Sequence, residues 1–195
     1  MDFVYLKKRS LDKNFCNKII DKFNDECSNN RTYQGITSSG LNKQIKDTTD
    51  FMINKDTTDQ DWARIRKTLE NELLFTLKTY TEIENSKYEV HDYKAIPNEM
   101  SFATFQIQRY KKNEGKFKYH NDEIIYDTYH RILTYIWYLN DVYEGGETEI
   151  CLSNKVKPEK GKLLIFPASW LFPHSGNMPI SNDKYIITGW IFSKN

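Results

Sequence analysis

Ile132-Leu133-Thr134-Tyr135-Ile136-Trp137-Tyr138-Leu139 is dominated by β-branched and aromatic residues, and it reads as a strand. Further strand signals lie on both sides. Phe102–Tyr110 alternates and is rich in aromatics, Leu163–Phe166 is a short apolar run behind Gly161, and Lys184–Phe192 alternates again. Turn-forming stretches separate these segments: Asn113-Glu114-Gly115, Glu144-Gly145-Gly146, Pro158 to Gly161 and Pro179 to Asp183. Short strands punctuated in this way predict a β-sandwich or a barrel-like sheet over the second half of the chain. Aromatic residues make up 14% of the sequence, which points the same way.

The first third reads as helical support. Ser10 or Asp12 can cap a helix that carries Phe15, Cys16, Ile19, Ile20 and Phe23 at helical spacing. Asp59 or Asp61 starts a second helix whose stripe is Trp62, Ile65, Leu69, Leu73, Leu77 and Tyr80. Both stripes are packing surface. Residues 28–60 between them are rich in Ser, Thr, Asn and Asp, and read as a long loop with little core. The expected division is 1–99 as a helical support region with a polar loop and 100–195 as the β core, together one domain.

Composition narrows the classes. With 28 Lys+Arg against 27 Asp+Glu, the net charge is +1, without the basic excess of a nucleic-acid binder. No apolar run approaches the roughly 18 residues of a membrane span. The start, Met1 to Ser10, has no apolar core of a secretory leader. Cys16, Cys27 and Cys151 are an odd, widely spaced set, expected as reduced thiols in a cytoplasmic protein. The Lys-, Asn- and Ile-rich, Arg-poor usage fits an AT-rich genome, a virus-encoded chain acting in a host cytoplasm included.

Four histidines are candidates for chemistry, of which His91 and His130 read as ordinary polar residues. His120-Asn121-Asp122 places an imidazole and a carboxylate at i and i+2, the same side of an extended segment. A third ligand from a distant strand would complete a facial triad with open positions, the ligand type of non-haem Fe(II) oxygenases. An HxD by itself is weak, because 27 acidic residues in 195 make a chance His-x-acid about an even bet. His174 follows Phe172-Pro173 in a turn just after a strand, and Lys184 opens the last strand ten residues later. The turn between them suggests opposite arms of a hairpin. Lys184, Ile186, Thr188 and Trp190 share one strand face, apolar apart from a cation and a hydroxyl. A cation aimed into such a pocket is costly unless an anion meets it, and the far carboxylate of an iron-chelating dicarboxylate would do so.

These elements carry a resemblance. Tyr110, His120-Asn121-Asp122, Arg131 to Leu139 with Asn140-Asp141-Val142, Gly145-Gly146-Glu147-Thr148, Gly161 to Phe166, His174, Lys184 and Trp190 stand in the order and spacing of one family. In them the chain resembles the 2-oxoglutarate- and Fe(II)-dependent oxygenases of the prolyl 4-hydroxylase group. The resemblance implies an α+β fold: a double-stranded β-helix (jelly-roll or cupin-like) core with N-terminal helices on one outer face. It implies that His120, Asp122 and His174 hold the iron. Lys184 would pair with the distal carboxylate of 2-oxoglutarate, with Tyr110, Thr148 and Tyr138 in the same pocket. Arg131 and Trp190 match positions that contact peptide substrate. The implied activity is hydroxylation of a prolyl residue in a peptide or protein, using O2 and releasing succinate and CO2, with ascorbate as reductant.

The chain also departs from the pattern. Phe117 replaces a Tyr often found three residues before the first ligand His, and the segment from Asp122 to Arg131 is short, as in the oxygen-sensing prolyl hydroxylases. The Gly145-Gly146-Glu147-Thr148 run and Lys184 resemble the collagen-type and algal enzymes instead. Two alternatives stand beside the main reading: a 2-oxoglutarate oxygenase acting on a free amino acid or small metabolite, and a non-enzymatic metal-binding β-barrel interaction domain. The expected partner is a proline-containing peptide or protein, without nucleic acid or membrane. A nucleic-acid demethylase is disfavoured by the neutral charge and by Lys184, where those enzymes typically carry Arg.

Overall fold

Asp12 and Asp59, not Ser10 or Asp61, cap the two helices. Each accepts hydrogen bonds from two first-turn amides through its carboxylate and so satisfies donors that a helix start leaves unpaired. In the computed structural model, which describes residues 2–97, 99–102, 104–125 and 127–194, α1 spans Lys13–Ser28 and α2 spans Gln60–Ser86. The outer limits of the expected 1–99 and 100–195 division, at Met1 and Asn195, lie outside the described residues. Cys16, Ile19 and Phe23 are buried on α1, and the whole expected α2 stripe is buried.

The strands, in chain order, are β1 (Tyr5–Lys7), β2 (Tyr33–Gln34), β3 (Lys46–Asp47), β4 (Thr49–Ile53), β5 (Met100–Phe102), β6 (Phe105–Tyr110), β7 (Lys116–His120), β8 (Tyr129–Tyr138), β9 (Thr148–Ile150), β10 (Asn154–Val156), β11 (Leu163–Pro167), β12 (His174–Gly176) and β13 (Lys184–Lys194). Every pairing among the described residues is antiparallel. The larger sheet runs β1-β11-β8-β13-β6-β4-β2, with β5 also paired to β13, and the smaller runs β10-β9-β12-β7-β3. This is the jelly-roll-like core expected from the sequence.

Alternation along the central strands sorts two environments. Phe105 and Ile107 on β6, Leu133, Tyr135 and Trp137 on β8, and Ile187 and Ile191 on β13 pack with the buried residues of both helices. The opposite face of the same strands carries Tyr110, Ile136, Tyr138 and Ile186, which cluster with Ile150 and Val156 of the smaller sheet. This second cluster lies between the two sheets and lines the interior of the jelly roll, its chamber. No described helix is long and apolar enough to cross a membrane.

Two expectations are corrected. Residues 28–60 are not a loop with little core. They supply β2 and β4 to one sheet and β3 to the other. Their polarity misled because Lys46 and Asp50 are buried and bond to each other at 2.9 Å, so polar residues do core work once paired. His174 and Lys184 do not face each other across a hairpin either. β12 pairs with β7 and β9, whereas β13 pairs with β5, β6 and β8. The intervening turn crosses from one sheet to the other, and that crossing puts the two side chains on opposing chamber walls.

Candidate metal and cosubstrate site

The smaller sheet brings the two histidines together, since His174 on β12 sits directly opposite His120 on β7. Asp122 follows β7, and its backbone N–H donates to Ala168 O, which anchors the segment at the end of β11. His120 Nε2 is 3.7 Å from Asp122 Oδ1, and His174 Nε2 is 3.4 Å from Asp122 Oδ2. Ligand atoms bond a divalent ion at about 2.0–2.2 Å, so donors up to about 4 Å apart can share one ion. These separations fit, and all three ligand atoms lie within 4.8 Å of one another.

The backbone sets the donor atoms. His120 Nδ1 is 2.7 Å from Lys118 O, and His174 Nδ1 is 3.2 Å from Phe172 O. A carbonyl only accepts, so each Nδ1 carries the hydrogen and each Nε2 turns a lone pair to the common centre. Burial, reinforced by the nearby His174, lowers the His120 imidazole to about 4, which keeps it in its ligating neutral form. Burial opposes ionisation of Asp122. The contacts with His174 and His120 and the Thr134 hydroxyl outweigh it and hold the carboxyl below its ordinary range. Thr134 donates to Asp122 Oδ2 at 2.8 Å. Two imidazole nitrogens and one carboxylate are the donor set that suits non-haem Fe(II).

Lys184 lies on the facing wall and is 1% exposed. Its strand is interior, between β8 and β6, so it is no edge-strand lysine. Its Nζ donates to Gly146 O at 2.9 Å and to Asn177 O at 3.4 Å, and stands 3.9 Å from the centre of the Tyr110 ring. Gly145 and Gly146 have φ of 70° and 74°, the left-handed backbone that aims the Gly146 carbonyl at the ammonium. No carboxylate bonds this ammonium among the described residues. Burial pulls it down to about 7, with only the charge of Glu147 resisting.

The other expected pocket residues fall into two groups. Tyr110 packs so closely on β12 that a Cβ on Gly176 would come within 2.9 Å of its ring and hydroxyl. Tyr138 donates to Thr148 at 2.7 Å, and both are buried on the chamber side. Arg131 and Trp190 stack on each other instead, with the guanidinium 3.9 Å from the ring centre. Trp190 pairs across strands with Thr134, which places this stack at the Asp122 end of the chamber. Phe117 stacks on the His120 ring at 3.5 Å and 16°. Sequence reasoning missed Thr134 as a partner of Asp122, since strand parity with Tyr138 gives its face but not its partner. It also missed Lys46, Asp50, Gln106 and Gln108, whose polarity looked like solvent exposure.

The sequence carries the same signature. The 2OG-Fe(II) oxygenase superfamily matches residues 105–192, which contain all three ligand candidates and Lys184. In these residues the chain is similar to that superfamily. The chain is 30% identical to a probable prolyl 4-hydroxylase 9 of Arabidopsis thaliana over an alignment of 118 residues, covering 45% of this chain. The match spans only 40% of that relative's length. In fold the chain is similar to the viral collagen prolyl hydroxylase of Paramecium Bursaria Chlorella virus-1, with a TM-score of 0.70 at 18% identity, covering 98% of this chain and 97% of that one. It is also similar to a Trichoplax adhaerens prolyl hydroxylase in complex with a hypoxia inducible factor peptide fragment. That likeness has a TM-score of 0.76 at 17% identity, covering 98% of this chain and 84% of the other.

Proposed function

We propose that this chain is an Fe(II)- and 2-oxoglutarate-dependent dioxygenase that hydroxylates prolyl residues in a peptide or protein. The observation that carries this reading is a clustered His120–Asp122–His174 set at the smaller sheet together with a Lys184 on the larger sheet that is buried and bonds no carboxylate among the described residues. Residues 100–195 would supply the reacting site, and 1–99 would close its outer face and edges.

Fe(II) and 2-oxoglutarate, when bound, would supply the activation of O2 that an unreactive C–H bond requires. The protein's own contribution is placement. His120 and His174 present Nε2, Asp122 presents a carboxylate held by Thr134, and the carbonyls behind the imidazoles stop the rings from turning. Lys184 would exchange its two carbonyl contacts for the distal carboxylate of the cosubstrate and thereby relieve the cost of its burial. The Tyr110 ring and the Tyr138–Thr148 pair shape the pocket beside it. The Arg131–Trp190 stack offers a flat, cationic surface on which a prolyl ring could rest. Ascorbate as reductant belongs to the same reading. Cys16, Cys27 and Cys151 are free thiols, which supports a reducing setting such as cytoplasm.

Within residues 28–60, β2, β3 and β4 belong to the two sheets, which counts against these strands as a lid over a free amino acid. The test is anaerobically loaded Fe(II) protein given O2, 2-oxoglutarate and a panel of proline-rich peptides and free proline. Succinate release with a +16 Da peptide product is expected. Succinate coupled to free proline alone would reassign the substrate, and no turnover with any of them would refute the activity.

A further inference from the structure

Next to the cosubstrate pocket, the chamber face of β6 carries a run of side-chain hydrogen bonds with a single direction. Tyr110 Oη donates to Gln108 Oε1 at 3.2 Å. Gln108 Nε2 donates to Gln106 Oε1 at 3.1 Å and points at Asp50 Oδ2 from 3.5 Å. Gln106 Nε2 donates to the same Asp50 oxygen at 3.0 Å. Lys46 Nζ donates to it at 2.9 Å. Asp50, Lys46, Gln106 and Gln108 are all less than 10% exposed, so their polar groups rely on these partners.

A carboxylate accepts and does not donate. With Asp50 at its end, each amide must turn its NH2 toward Asp50 and its carbonyl toward Tyr110. The Tyr110 hydroxyl then has one role left in this relay: its hydrogen goes to Gln108. For Tyr110 to donate to an incoming carboxylate, that hydrogen must leave Gln108 and strand a buried carbonyl oxygen.

We infer that Asp50 sets the direction of the Gln106–Gln108 relay and so holds the Tyr110 hydroxyl hydrogen away from the cosubstrate, weakening 2-oxoglutarate binding. Asp50 is a positioning residue that never touches the cosubstrate. This rests on the oxygenase reading and adds to it a restraint built from the β3–β4 segment. Asp50→Asn introduces a donor at the end of the relay, which lets every amide reverse and frees the hydroxyl hydrogen. Gln108→Met removes the acceptor of that hydrogen directly. Both changes act in the same direction.

The experiment is calorimetric titration of 2-oxoglutarate into the full chain loaded with redox-inert Mn(II), as wild type, Asp50→Asn and Gln108→Met, and each of these again with Tyr110→Phe. Wild type should bind, and both single variants should bind about fivefold more tightly, the size of one hydrogen bond. The gain should vanish when Tyr110→Phe is present, which a merely structural role for Asp50 would not produce. Binding equal to or weaker than wild type in the variants overturns the inference. So does a gain that survives Tyr110→Phe, because that would be the uncovered charge of Lys46. If Asp50→Asn does not fold, Gln108→Met decides alone. A wild-type protein that takes up no 2-oxoglutarate overturns the oxygenase reading, and the relay's role falls with it.

Discussion

Lys46 and Lys184 are both buried lysines beside one chamber, and they differ in what stands opposite. Lys46 meets the carboxylate of Asp50 at 2.9 Å, inside a web of glutamine amides. Lys184 meets two backbone carbonyls and the face of Tyr110. Burial strains each partner differently: it pushes the Asp50 carboxyl up against the pull of Lys46, and it pulls the Lys184 ammonium down to about 7. A buried charge with its counterion in place is architecture. A buried charge that lacks one is a binding site awaiting an anion.

The contrast is broken most severely by removing one member of the satisfied pair. Asp50→Ala leaves Lys46 buried and uncompensated, and should cost about 3–5 kcal/mol in a urea unfolding titration. Lys184→Met should leave stability within about 1 kcal/mol of wild type or raise it, since it replaces an unmatched charge with apolar volume. A larger loss for Lys184→Met than for Asp50→Ala would invert the assignment of roles.

Cosubstrate binding should rank the two lysines the other way. Lys184→Met should weaken 2-oxoglutarate binding by about 10- to 100-fold, the worth of a charge-assisted hydrogen bond in a buried site. Lys46→Met should change it by less than about threefold, because its charge is already neutralised by Asp50. Equal losses in the two variants, measured by calorimetry on Mn(II)-loaded protein, would erase the distinction.

A smaller effect sharpens the comparison through pH. Burial brings the Lys184 ammonium down to about 7, so it is charged below that pH and neutral above it. An anionic cosubstrate prefers the ammonium, so its affinity should be level below that pH and fall by up to about tenfold per unit above it. The Lys184→Met variant should lack this slope. A slope that persists in the variant assigns the titration to another group.

Much of this was legible in the sequence where a pattern has one physical meaning. The α2 stripe from Trp62 to Tyr80 is buried because helical spacing leaves it one face to hide. Strand parity puts Thr134 on the same face of β8 as Tyr138, but parity alone does not say that Asp122 is its partner. Parity along β13 likewise set Lys184 and Trp190 on one face. Residues 28–60 were unreadable because Lys46, Asp50 and the glutamines are core only as a mutually bonded set, and single-residue polarity carries no trace of a partner 56 positions away, as Gln106 is from Asp50. The crossing between β12 and β13 was hidden for a related reason. A turn sequence says that the chain reverses but not which sheet it enters next.

The central claim is that His120, Asp122 and His174 hold one Fe(II) to which 2-oxoglutarate then binds. Anaerobic equilibrium dialysis of Fe(II), with and without 2-oxoglutarate, on wild type and Asp122→Ala tests it directly. Wild type should retain one iron per chain, held more tightly in the presence of 2-oxoglutarate, and Asp122→Ala should retain none with either. Iron uptake by Asp122→Ala equal to wild type, with the same response to 2-oxoglutarate, would contradict the account.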